Sequence, residues 1–139
     1  MVDLVNEKKQ INFGKDSIFV RNYIDGILGG RNLDVTGFPL DTIAAGHVII
    51  TDGNGVYKPM PLSATTSNGV TTYSYDSLPQ GYSYAGLLYR SLLTKRPMAA
   101  IITNGQVNSE VLPYNMSSIL AAFKAACPLI VFAKDEESK

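Results

Sequence analysis

The apolar stretches of this 139-residue chain are short, and nearly every one stops at a cluster of glycine, asparagine or proline. Such punctuation favours short strands joined by tight turns. It leaves no alternation of strand and crossover helix, and so no Rossmann-like parallel sheet. The run His47-Val48-Ile49-Ile50-Thr51 leads into Asp52-Gly53-Asn54-Gly55, and Val56 to Pro61 returns from it. Two strand-like runs around a Gly/Asn loop predict a β-hairpin. Pro59 and Pro61 place the returning strand at an edge or end it early, because proline cannot donate to a ladder. Tyr84 to Leu93 follows, bounded by Gly81 and by Thr94-Lys95-Arg96-Pro97. Met98 to Thr103 is a buried-strand candidate ending at an Asn104-Gly105 turn, and Leu129 to Phe132 is a last strand. Residues 63–83 are rich in Ser, Thr, Tyr and Gly, so Val70 to Tyr75 is expected as a strand within a long insertion or surface loop.

A single helix is expected. Met116, Ile119, Leu120, Phe123 and Cys127 recur at helical spacing on one face, with Asn115 placed to cap the start and Pro128 to stop the end. The fold class is therefore β-rich α+β, a small single domain of short antiparallel strands and hairpins with one C-terminal helix. Residues 1–32 are set apart as a flexible N-terminal arm, and 33–139 as the β-rich domain. The first sixteen residues are polar with few anchors. The run Ser17 to Tyr23 has strand composition, but Gly26, Gly29 and Gly30 are expected to break it. A segment with so little apolar surface orders on a partner or not at all.

Charge narrows the partners. Twelve basic residues balance twelve acidic ones, and no basic cluster exceeds the pairs Lys8-Lys9 and Lys95-Arg96. A nucleic-acid partner is therefore not expected, since such binders concentrate positive charge to displace counterions from phosphates. Charged residues make up only 17% of the chain, which points to surface covered by another copy of itself. No apolar run approaches the ~20 residues that span a bilayer, and the first residues lack the order of a signal peptide. A soluble protein with no membrane partner, made in a cytoplasm, is expected.

Few residues bear chemistry. His47 is the only histidine and Cys127 the only cysteine, so an internal disulfide and a multi-histidine or multi-cysteine metal site are excluded. His47 lies in an apolar segment with no acidic neighbour, which suits a structural role better than a general base. Cys127 sits at the C-terminal end of the expected helix, where the dipole disfavours a thiolate, so it reads as a small buried apolar residue. Asp52 to Gly55 resembles the start of a calcium loop, but Val56 and Ser63 stand where the EF-hand pattern needs oxygen ligands. The glycines at 26, 29 and 30 match neither a P-loop nor a dinucleotide fingerprint. Asp34 and Asp41 read as solvated loop carboxylates. No catalytic residue, cofactor or metal is expected, and the chain is read as a non-enzyme. Tyr73, Tyr75, Tyr82, Tyr84 and Tyr89 crowd one stretch of the chain. They serve either as cross-strand packing or as a contact surface for a neighbouring subunit or a glycan, with Tyr73, Tyr75, Tyr84 and Tyr89 the candidates.

The order of segments resembles the head decoration proteins of tailed phages, of the lambdoid capsid-stabilising kind. The residues that carry it are Leu33 to Thr36, Ile43 to Ile49, the turn Asp52 to Gly55, and Tyr57-Lys58-Pro59. Further along they are Tyr84 to Leu88, Pro97 to Asn108, and Leu112-Pro113-Tyr114. The resemblance implies a virion protein on the capsid exterior, made in a bacterial host cytoplasm. It would sit as a homotrimer on the major capsid protein and add its N-terminal arm as a strand, with Ile18, Phe19 and Val20 as the contacts. The stretch at 63–83 is larger than the family pattern needs, and implies a related head-fibre protein with an outward-projecting loop. A carbohydrate-binding or adhesin-like β module is the alternative, resting on the tyrosines. A hydrolase built on His47 with Asp34 or Asp41 has no supporting spacing.

Overall fold

Val48, Ile49 and Ile50 are all fully buried, although successive residues of a strand point to opposite faces of a sheet. The sheet that holds them must therefore be covered on both sides. The computed structural model describes residues 19–133 of the chain. Their strands are β1 (Val20–Asn32), β2 (Thr42–Ile43), β3 (Val48–Thr51), β4 (Tyr57–Pro59), β5 (Leu62–Ser67) and β6 (Val70–Tyr75). After these come β7 (Ser83–Leu88), β8 (Leu92–Leu93), β9 (Met98–Asn108) and β10 (Ile130–Ala133). A 3-10 turn at Ser109–Val111 and a helix, α1 (Leu120–Ala126), precede β10. The expected class, strand-rich with one helix near the C-terminus, is the one observed.

The main sheet runs β1-β9-β7-β3-β4 with antiparallel neighbours, and β10 joins the second half of β9 in parallel. Just past β1, Leu33 bridges Tyr57 of β4, and the Asp34 N–H donates to the Tyr57 carbonyl at 2.8 Å. The chain that leaves one edge strand thus bonds to the other, and the sheet curls into a nearly closed ring. Ile27, Ile49, Tyr57, Leu88 and Ile101, from β1, β3, β4, β7 and β9, cluster with Leu33. The short β2–β8 pair adds Ile43 and Leu92 to the same cluster. The alternate residues Val48, Ile50, Leu87 and Ile102 meet Phe19, Met60, Tyr75, Met116 and Phe123 in a second cluster. Two cores thus lie on the two faces of one curled sheet.

Four elements differ from expectation. Val20–Asn32, grouped on sequence with the arm, form the first strand of the main sheet, with Phe19 just before it; residues 1–18 lie outside the described residues. Gly26 does not break β1, because its missing Cβ is what lets the strands meet: a side chain there would collide with the Ile101 carbonyl of β9. Gly105 does the same in reverse, against the Asn22 carbonyl of β1, so Asn104-Gly105 is a point of close approach inside β9 and not a turn. The helix starts at Leu120, five residues later than its capping signal. Asn115 instead accepts the Ser117 N–H at 2.8 Å in a turn of its own, while Met116 and Ile119 still reach the core. Finally, Val70–Tyr75 is the expected strand, but the stretch that holds it is a regular hairpin and not a loop, β5 paired with β6 from Leu62↔Tyr75 to Ser67↔Val70. Asn68 and Gly69 form its two-residue loop with φ of 53° and 78°, the positive pair a type I′ turn demands.

Candidate functional site

The hairpin is fastened to the body at one place, and His47 is at its centre. Met60 and Tyr75 flank the hairpin's two ends. His47 Nε2–H donates to the Met60 carbonyl at 2.9 Å, and the Val48 N–H donates to the Tyr75 hydroxyl at 3.1 Å. The rings of Tyr75, Phe38 and Tyr114 stand edge-on around the imidazole at 5.3, 5.4 and 5.6 Å. Burial holds the His47 pKa down to about 4, against the weaker opposing effect of the Met60 carbonyl. The ring is therefore neutral at neutral pH, with its proton on Nε2 and its Nδ1 without a partner among the described residues. Burial also raises the Tyr75 phenol well above its usual range. The arrangement is a clasp at the root of β5–β6.

Other chemistry-bearing groups are held in local structure. Asp34 accepts from the Thr36 hydroxyl at 2.7 Å and its N–H at 3.1 Å, and the hydroxyl first of all holds its carboxyl below the ordinary range. Asp52 accepts from the Asn54 and Val56 amides at 2.7 and 3.2 Å, so its carboxylate closes the β3–β4 turn. No three of His, Cys, Asp and Glu gather into a metal-sized group among the described residues. Cys127 is buried at the end of α1, with its Sγ 3.8 Å from the Tyr84 carbonyl, and burial pushes the thiol up to about 11.

The candidate contact residues are dispersed. Ile18 lies outside the described residues. Phe19 is 1% exposed, belongs to the cluster of Met60, Tyr75 and Phe123 and has its ring against Gly46, and Val20 pairs with Val107 of β9. As placed, Phe19 is an internal anchor and not a free contact, because the apolar run that marks it has a home within the fold. Tyr75 is buried in the clasp. Tyr84 stands edge-on to Phe123 at 5.5 Å, and Tyr89 to Tyr23 of β1 at 5.3 Å. Tyr73 alone stays out on the hairpin, half-buried. The tyrosines thus act mainly as cross-element packing.

Among several large apolar residues left exposed, Met98 and Leu129 included, Ile24 on β1 and Val70 on β6 stand at 58% and 64% exposure. Each is a lone apolar residue among polar neighbours, which carries little signal without knowledge of the strand edge. Among the described residues no strand pairs with the outer edge of β1, nor with either outer edge of the hairpin. No helix of the described residues is long and apolar enough to cross a membrane. No family model, no curated protein and no solved structure matches this chain.

Proposed function

We propose that the chain is a structural virion protein that binds the outer surface of a phage capsid as a decoration or head-fibre protein. It would act there as a homotrimer, made in the bacterial host cytoplasm, with the major capsid protein as its partner. The observation that carries this is the outer edge of β1, with which no strand of the described residues pairs. This strand of 13 residues pairs with β9 on one side, through an irregular ladder, and near its middle Ile24 is exposed. Strand addition by a capsid segment would supply backbone hydrogen bonds along that edge, and a pocket or apolar patch for Ile24 would set the register. The projecting hairpin fits the larger head-fibre variant of the same family.

The test is co-sedimentation with expanded shells assembled from the capsid protein encoded beside this chain. Saturable binding is expected, weakened about tenfold or more by Ile24→Asp, which places a charge on the docking edge. Neighbouring reading frames without a capsid gene, or shells that pellet without the protein, overturn the assignment.

A further inference from the structure

The β5–β6 hairpin is regular, exposed and paired with nothing else among the described residues. A two-stranded hairpin is marginal alone in water. Edge strands that stay solvent-exposed usually carry lysines, prolines or inward charges that block edge-to-edge pairing. From Leu62 to Tyr75 there is no charged residue and no proline, in a chain with 24 charged residues (12 plus 12) elsewhere. Val70 to Tyr75, β-prone and uncharged, is the kind of segment that pairs with its own kind. Ser and Thr dominate both strands, and opposed Thr residues already bond across the hairpin, Thr66 to Thr71 at 3.1 Å between hydroxyls. Copies of such an edge meet without like-charge repulsion.

We propose that the hairpin joins copies of this chain, β6 of one pairing antiparallel with β5 of the next, so that three hairpins close a six-stranded ring. Direction permits it, because β5 and β6 are antiparallel and each β6 would lie beside an oppositely running β5. Closure decides between arrangements. A twofold β6–β6 pair would leave both unprotected β5 edges open to further growth, whereas a closed ring leaves no edge. The number three rests on the trimeric reading above; the pairing itself does not.

The backbone shows which amides do the joining. The Asp76 N–H donates to the Pro61 carbonyl at 2.9 Å, so the pair at the hairpin's base is hydrogen-bonded. Antiparallel pairs alternate between bonded and non-bonded. Hence Ser63–Ser74, Thr65–Thr72 and Ser67–Val70 bond inward, while Ala64, Thr66, Thr71 and Tyr73 turn their amides to the free edges. Proline at Thr71 or Thr66 therefore removes an outward donor and keeps every backbone bond within the hairpin, losing only the Thr66–Thr71 hydroxyl contact.

Sedimentation of the whole protein at micromolar concentration should show three times the chain mass. Thr71→Pro and Thr66→Pro should each give monomer with an unchanged circular dichroism spectrum, because every junction uses one edge of each kind. Amide exchange gives a check without substitution: the Thr71 and Tyr73 N–H groups should be protected in the assembled wild type. A monomeric wild type with those amides unprotected, or a trimer that survives both prolines, overturns the proposal. A twofold mass lost only with Thr71→Pro overturns the ring in favour of β6–β6 pairing. No capsid is present in these measurements, so failure here leaves the capsid co-sedimentation outcome separate.

Discussion

β1 and the β5–β6 hairpin are built from similar material, polar and glycine-containing, yet they relate to the fold in opposite ways. β1 has an irregular ladder, its register against β9 shifting at four points along thirteen residues. It is nonetheless tied down, by Phe19 at its start, Tyr23 against Tyr89, and Ile27 in the inner core. The hairpin keeps an unbroken register over six pairs, but almost every side chain along it is exposed and only its root is clasped. Ladder regularity and attachment are thus independent: buried anchors fix a strand to a body, and hydrogen bonds alone do not.

The largest break in this comparison comes from removing an anchor. Phe19→Ala should destabilise the whole domain by about 4 kcal/mol, the range for an aromatic deleted from a packed core. Val70→Ser, on the hairpin, should change stability by less than about 0.5 kcal/mol, as exposed substitutions do. Urea unfolding of the two variants measures both. Equal losses would mean that the hairpin is as much part of the body as β1.

Acid should act next, through the clasp. The unfolded chain's histidine titrates near 6.5 and His47 in the fold at about 4, so the unfolded state takes up its proton first. Stability from this group is complete above about pH 6.5 and falls as the pH drops toward about 4. The total comes to about 3 kcal/mol by linkage. The carboxylates add their own acid dependence, so the comparison is with His47→Gln. That variant should start lower, having lost the ring's aromatic contacts, but should lose less between pH 7 and 4. Identical slopes for the two proteins would show that His47 is not the acid-sensitive group.

Much of this fold was legible because burial and sequence pattern coincide. The run Val48 to Thr51 and the Asp52 to Gly55 turn sit where periodicity and turn chemistry place them, and a strand from Met98 and a late helix are present, the one longer and the other starting later than expected. Two of the errors share one physical origin, that a glycine has two uses and sequence shows only its lack of a side chain. At Gly26 and Gly105 the freed space lets two backbones approach, information that resides in the other strand. At Asn68-Gly69 the same composition makes a tight turn, masked by Ser/Thr-rich flanks without the apolar alternation that marks a half-buried hairpin. The clasp was equally hidden. The apolar neighbours of His47 point to a structural role, but Met60, Tyr75 and Tyr114 come to it from 13 to 67 residues away along the chain. Phe19 was noticed as an apolar run, and only the fold shows that its pocket is internal.

The smallest expected effect separates local from global stability most cleanly. Gly69 has φ of 78°, and a Cβ built there meets no neighbour within 4 Å. Gly69→Ala therefore adds left-handed strain without a clash, about 1 kcal/mol. If the hairpin opens independently of the body, that strain raises its open population about fivefold. Exchange of the inward amides of Thr65 and Thr72 should speed up by the same factor in protein held dilute enough to be monomeric. The amides of Ile101 and Ile102 in β9 should be unaffected, since their protection depends on unfolding of the body. Acceleration at both places would mean that the hairpin and the curled sheet open together, and the contrast between anchored and clasped strands would fail. Acceleration confined to the hairpin would fix its root, at His47 and Tyr75, as the boundary between two cooperative units.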